Sequence, residues 1–238
     1  MILRLIARSA TLALSALAVA SATARAQAPA VLPVPSHAVL DFEPLSTASG
    51  CGANGFTSYG GLTWTGWGAI NRVECGAADV GGAHNGYWNG TRSGQNTGYL
   101  QLPRFAPDPF QALTGSITNV DGFDLLDAWM TAAWATGLNV HVDAFRGLTL
   151  AGSMNFAVGY TGPSHIVFNF IHVTDVTFTA SGGTPDYALG GVGSELVIDD
   201  ANVAIYPHVV VPEPATVGLV TIGLVALGAV ARRRARRA

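Results

Sequence analysis

The segment Leu138–Ala144, of sequence LNVHVDA, alternates apolar and polar side chains along its whole length. Successive side chains of a β-strand point to opposite faces of the sheet. The four apolar residues are therefore expected on one face and the three polar residues on the other. This segment predicts a half-buried β-strand.

Strand-like segments recur on both sides of this one. They lie at residues 38–43, 62–67, 99–102, 148–158, 164–173, 175–180 and 195–206. Glycine-containing turn signals, such as Gly60-Gly61 and Asn89-Gly90, separate them. Many short strands without a clear amphipathic helix predict an all-β fold, a β-sandwich, over residues 38–207. Phe123–Trp134 stays open between helix and strand, since both patterns fit it.

The charge of the central region differs from that of the ends. The 238 residues include no lysine, and most of the 12 arginines lie near the two termini. Between Asp41 and Asp200, fourteen acidic residues stand against four arginines, a net charge of −10. Such a surface is expected to repel nucleic acid and to favour cations.

Residues 1–26 have the pattern of a signal peptide. Arg4 and Arg8 precede an apolar stretch from Ala10 to Ala22, and Ala24-Arg25-Ala26 is a small-x-small cleavage site. An uncleaved anchor helix is the alternative, but the stretch is short and rich in alanine. The mature chain is expected to begin at Gln27, with residues 27–37 as a linker before the domain.

The C-terminal region, residues 208–238, has three parts in a fixed order. Pro212-Glu213-Pro214 comes first, an uncharged and mostly apolar segment at 215–231 follows, and residues 232–238 hold five arginines. As a helix the apolar segment spans roughly 25 Å, and arginine snorkelling can cover the shortfall against a ~30 Å hydrocarbon core. The arginines predict a cytoplasmic tail, which places the Pro-Glu-Pro motif on the outer side of one transmembrane helix.

This tripartite end resembles the PEP-CTERM sorting signal of Gram-negative, exopolysaccharide-producing bacteria. The resemblance implies that an exosortase, a membrane transpeptidase, recognises Pro212, Glu213 and Pro214 and cuts near them. The protein would then be anchored in the inner membrane for a time, with its C-terminus in the cytoplasm, before it reaches the cell surface or the exterior. A plain tail anchor that is never processed is the alternative.

Segments of the central region look like the jelly-roll domains of other PEP-CTERM proteins. The similar stretches are residues 39–43, 59–64, 132–134, 176–178 and 195–200. The resemblance implies a jelly-roll-like β-sandwich. Jelly rolls of this kind often resemble carbohydrate-binding modules, which frequently hold a structural calcium ion.

The two cysteines of the chain, Cys51 and Cys75, both lie in the exported region. An even count in an oxidising compartment favours a disulfide, and glycines beside each cysteine ease its geometry. A nucleophilic cysteine is the alternative, but no family signature surrounds either residue.

Four carboxylates are candidate calcium ligands. Asp41 and Glu43 lie on the first predicted strand, and Asp199 and Asp200 lie near the end of the last. First and last strands commonly pair in sandwiches, so these oxygens are candidates for one calcium site. They are otherwise solvated edge charges or turn caps.

Four aromatic residues near the glycine-rich loops are candidates for stacking on sugar rings: Tyr59, Trp64, Trp67 and Trp88. Tryptophan more often fills a core than a ligand site, so core packing is the competing interpretation.

No catalytic residue is predicted. The six histidines are scattered, and neither His-Glu-x-x-His nor Gly-x-Ser-x-Gly occurs. The favoured function is a non-catalytic surface or matrix protein associated with exopolysaccharide or biofilm. A carbohydrate-binding module or adhesin with structural calcium is the alternative, and a secreted polysaccharide hydrolase with two opposed carboxylates is a weaker one.

Overall fold

The computed structural model describes residues 34–47, 54–75, 84–102 and 108–208, and six isolated positions between 223 and 235. The strands are β1 Ser36–Leu40, β2 Asn54–Gly55, β3 Ser58–Tyr59, β4 Leu62–Thr65, β5 Trp67–Asn71, β6 Asn96–Leu100, β7 Leu113–Ala132, β8 Ala135–Thr136, β9 Leu138–Arg146, β10 Thr149–Val158, β11 Ser164–Ser181, β12 Thr184–Pro185 and β13 Leu196–Ile205. Two short helices, α1 Arg72–Cys75 and α2 Gly86–Gly90, and a 3-10 turn at Tyr187–Leu189 complete the described elements.

Two long strands, β7 and β11, run through both layers of the fold. Their first and second halves pair with different neighbours, and all pairs are antiparallel. The first layer has the strand order β10-β9-β11-β7-β4-β3. The second has the order β11-β7-β13-β6-β5-β2, with β1 also paired to β13. The fold is therefore an all-β, sandwich-like arrangement, as the strand patterns predicted.

The long strands change layer where their pairing is interrupted. The register of β11 against β7 shifts three times between Val167 and Asp175. Within this stretch Asn169 and His172 have φ angles of 53° and 51°, in the left-handed region. Bulges of this kind bend a strand and raise its twist, which lets one strand serve both layers.

The segment Phe123–Trp134 is largely strand. Residues 123–132 form the second half of β7, paired to β11 on one side and to β13 on the other. The first half of β7, residues 113–120, was missed by the sequence patterns. It carries Gly115, whose added Cβ would lie 2.9 Å from the backbone carbonyl oxygen of Thr65, so the close approach of the two strands favours glycine there.

Aromatic side chains fill the space between the layers. Trp67 of β5 contacts Trp64 of β4 at a ring distance of 5.5 Å and Phe178 of β11 at 5.4 Å, both edge to face. These contacts join the two layers. In β9 the alternating residues Leu138, Val140, Val142 and Ala144 are at most 1% exposed, which confirms the buried face predicted from the alternation.

A second, smaller cluster lies on the other side of β13. Val197 points away from the main core and packs with Ile70, Tyr87 and Tyr99 beneath α2. The Asn85 side chain caps α2 by accepting hydrogen bonds from the amides of Tyr87 and Trp88.

Candidate functional site

The predicted targeting segments lie outside the described residues. This holds for the signal peptide 1–26, the motif 212–214 and, apart from Gly223, Leu224 and Leu227, the span 215–231. In the part of the chain that the structure describes, no helix has the length and apolar character needed to span a membrane.

Three of the four predicted calcium ligands surround one loop, residues 91–95, between α2 and β6. Glu43 Oε1 accepts hydrogen bonds from the amides of Gln95 and Asn96 at 2.7 and 2.6 Å. Asp199 Oδ2 accepts from the amides of Arg92 and Ser93 at 2.6 and 3.0 Å. These carboxylates hold the loop against the ends of β1 and β13.

Asp200 is the third ligand candidate on this loop, whereas Asp41 contacts other residues. Asp200 Oδ1 accepts a 2.6 Å hydrogen bond from the Ser93 hydroxyl. Asp41 Oδ1 instead accepts from the Tyr59 hydroxyl at 3.1 Å and from the amide of Glu43 at 3.2 Å. Among the described residues no group of three or more His, Cys, Asp or Glu side chains is placed to hold a metal ion. The calcium site stays a prediction.

Asp199 is the buried member of this group. Its side chain is 0% exposed, and burial raises its pKa to about 7, against the opposing effect of the three backbone amides that it accepts from. Asp199 is therefore a structural acceptor that fixes the loop between α2 and β6.

The prediction of sugar stacking was wrong for two of the four aromatic residues. Trp64 and Trp67 are each 1% exposed and belong to the main core. Their β-strand alternation points both rings inward, so neither face is available to a ligand.

The remaining two aromatic residues are half-buried. The Tyr59 ring packs on Phe42 at 5.3 Å. Trp88 stacks on His84 at 4.3 Å and has the Arg72 guanidinium 4.9 Å from its ring centre. Sugar stacking by Tyr59 and Trp88 stays a prediction.

The predicted disulfide involves one described cysteine. Cys75 ends α1 and is 7% exposed in the second cluster. Cys51 lies outside the described residues, so the Cys51–Cys75 disulfide also stays a prediction.

A polar groove on the outer side of the first layer was missed by the sequence analysis. It has a volume of about 310 Å³ and crosses β9, β10 and β11. Its polar lining residues are Asn139, His141, Asn155, Thr179 and Ser181. The alternation in β9 that revealed the buried face also marked this polar face, but only the pairing of strands shows that polar faces from three strands adjoin.

His141 lies at the centre of this polar face. Its Nδ1 is 2.8 Å from Asn155 Oδ1, and its Nε2 is 3.1 Å from Asp143 Oδ2. The pKa of His141 is raised, most by the hydrogen bond with Asn155 and next by that with Asp143. The pKa of Asp143 is lowered, most by a hydrogen bond with Ser153 and less by that with His141. The groove thus offers fixed hydrogen-bond donors and acceptors, a chemistry that suits a hydroxyl-rich ligand.

The comparisons with known proteins identify the C-terminal segment. Residues 210–237 match the family model described as the PEP-CTERM protein-sorting motif. The chain therefore carries a sorting motif at this end, as its residues predicted. Among curated proteins, none matches the chain.

The solved structures that resemble the domain share little sequence with it. A DUF4465 family protein from Bacteroides caccae has a TM-score of 0.45 at 10% identity, covering 72% of this chain and 100% of that chain. The adhesin domain of Lys-gingipain from Porphyromonas gingivalis has a TM-score of 0.40 at 9% identity, covering 72% and 99%. TmCBM61, solved in complex with beta-1,4-galactotriose, has a TM-score of 0.35 at 9% identity, covering 62% and 90%.

Proposed function

We propose that the chain is an exported, exosortase-sorted surface or matrix protein of a Gram-negative bacterium, and that its domain is not catalytic. The match to the sorting motif at residues 210–237 carries the proposal. A signal-peptide pattern at residues 1–26 supports it, because a signal peptide would export the domain to the side of the membrane on which the motif is expected. The arginines at 232–237 support a single transmembrane helix with a cytoplasmic C-terminus.

Processing in the presence and absence of an exosortase tests this function. The intact mass of the recovered protein is expected to fall only in the host that has the enzyme, by a loss from the C-terminal end. Replacing both Pro212 and Pro214 by alanine should leave the full-length chain in the membrane. Pro207→Ala removes a proline outside the motif and should be processed normally. A full-length chain in the exosortase-containing host would refute the proposal.

Polysaccharide binding by a jelly-roll-like domain is the second candidate function. The polar groove across β9, β10 and β11 favours it, because its amide, hydroxyl and imidazole groups match a polyol. Affinity electrophoresis in gels that contain the host exopolysaccharide measures such binding. His141→Ala and Asn155→Ala are expected to lose retardation, whereas Thr136→Ala, exposed outside the groove, should keep it. Chain shortening of the polysaccharide would instead favour a hydrolase.

A further inference from the structure

We propose that one end of the sandwich lies against the phospholipid surface while the C-terminal tail is embedded. This inference rests on the proposed membrane anchoring. The end in question, called the exit end, comprises residues 119–122 of β7, the β9–β10 turn at 146–149, residues 169–174 of β11 and the C-terminal residues 205–208.

Side-chain and backbone contacts join these four segments. His208 Nδ1 lies 2.7 Å from Asp121 Oδ1, and Tyr206 stacks on His172 at a ring distance of 4.3 Å. The Arg146 guanidinium donates to the carbonyls of Ile171 and His172 at 3.0 and 2.8 Å. The exit end is thus one continuous surface, and the chain leaves the described domain from it.

Large apolar side chains project from the exit end into solvent. Leu148, at the tip of the β9–β10 turn, is 102% exposed, and Val120 is 89% exposed. Leu150 and Ile171 beside them are 54% and 49% exposed. Apolar residues at turn tips bury themselves readily in the boundary between headgroups and acyl chains.

The stretch of chain between His208 and the predicted transmembrane segment is short enough to keep these side chains close to the membrane. Only six residues, 209–214, separate His208 from the predicted transmembrane segment. Even fully extended they reach about 20 Å. Strand β9 alone, at nine residues, is about 30 Å long, so the tether is shorter than the domain. The exit end therefore stays beside the bilayer, where tethering gives even a few exposed side chains a high effective concentration of lipid.

Photo-crosslinking of the full chain tests this contact. The chain is reconstituted in vesicles of phosphatidylethanolamine and phosphatidylglycerol, with p-benzoylphenylalanine at position 148 or, separately, at position 120. Position 187 is the matched control, because Tyr187 is 72% exposed and follows β12, which pairs with β8 at the opposite end of β9. Irradiation should give about tenfold more lipid adduct at 148 and 120 than at 187, since the tether holds only the exit end at the surface.

Several results would overturn the inference. Equal lipid adduct at all three positions would do so, as would adducts at 148 and 120 that form with a second protein chain instead of lipid. Alkaline extraction of the same vesicles reports on the anchor separately. Retention of the chain without lipid adduct refutes the exit-end contact and leaves the proposed function standing, whereas loss of the chain from the vesicles refutes the anchor itself.

Discussion

Replacing Glu195 by glutamine should make the stability of the domain less dependent on pH. Glu195 is 8% exposed, and its Oε2 has no hydrogen-bond partner among the described residues. Burial raises the pKa of this carboxyl from 4.5 to about 7, although a hydrogen bond with Trp134 opposes the rise. The folded domain therefore holds a proton that the unfolded chain releases.

The sign and size of the effect follow from this difference. Below pH 4.5 the Glu195 carboxyl is protonated in both the folded and the unfolded chain, so this group lowers the stability of the folded domain by nothing. Between pH 4.5 and about 7 the unfolded chain ionises first, so stability falls, and above about 7 the loss is complete. At about 1.4 kcal/mol per pKa unit, the loss is roughly 3 kcal/mol.

Urea unfolding of the full chain in detergent, followed by the fluorescence of the buried tryptophans, measures stability between pH 4 and pH 8. Burial also raises the pKa of Asp199 to about 7, so the loss due to Glu195 is the difference between the natural chain and Glu195→Gln. Glu195→Gln should make the fall in stability between pH 4.5 and about 7 smaller by roughly 3 kcal/mol, because the amide does not titrate in this range. Thr63→Ala changes an exposed side chain that does not titrate and should leave the slope unchanged. Parallel pH profiles for the natural chain and Glu195→Gln would refute the reasoning.

Three further predictions concern the packing of the domain. Trp67→Ala should lower the free energy of unfolding by about 3–5 kcal/mol in the same urea assay, because it empties a fully buried ring position between the layers. Gly86→Ala should displace α2 and lower the thermal midpoint, since its Cβ would overlap the carbonyl oxygen of Ala132, whereas Gly162→Ala, with nothing within 4 Å, should not. Reduction of the disulfide predicted between Cys51 and Cys75 should lower the free energy of unfolding by about 3 kcal/mol. Alkylation without reductant should add no label to the intact mass. Unchanged stability on reduction would count against the bond.

Strand positions were predictable where a run of strand-forming residues is bounded by turn signals. β9, β10 and β13 lie within one or two residues of the segments predicted from the sequence. The first half of β7 was not predictable, because its short run of threonine, serine and glycine carries few apolar residues and its strand form depends on pairing with β4 and β11. The sequence predicts two strands where the structure has the single strand β11, since the bulges between Val167 and Asp175 interrupt the alternation around Val173.

The candidate sites were less predictable than the strands. Trp64 and Trp67 lie close to glycines, which suggested rings exposed beside a loop. Gly66 instead provides the tight bend, at φ 80°, between two strands that both point a tryptophan inward. The expected pairing of first and last strands is formed by β1 and β13, and Glu43 and Asp199 both bond to the backbone next to these strands. What the sequence could not show is that a third segment, residues 91–95, fills the space between these carboxylates with backbone amides.

The antiparallel pairing of β1 and β13 determines which end of the domain would face the membrane in the anchored protein. Ser36 pairs with Ile205, so the chain enters and leaves the domain at the same end. The polar groove lies at the other end of β9, near Asn139 and His141, whereas Arg146 belongs to the exit end. His141 and Arg146 are five residues apart on one strand, a distance of about 17 Å. In the proposed anchored state, a domain tethered through its exit end would direct the groove away from the bilayer, toward the polysaccharide of the second candidate function.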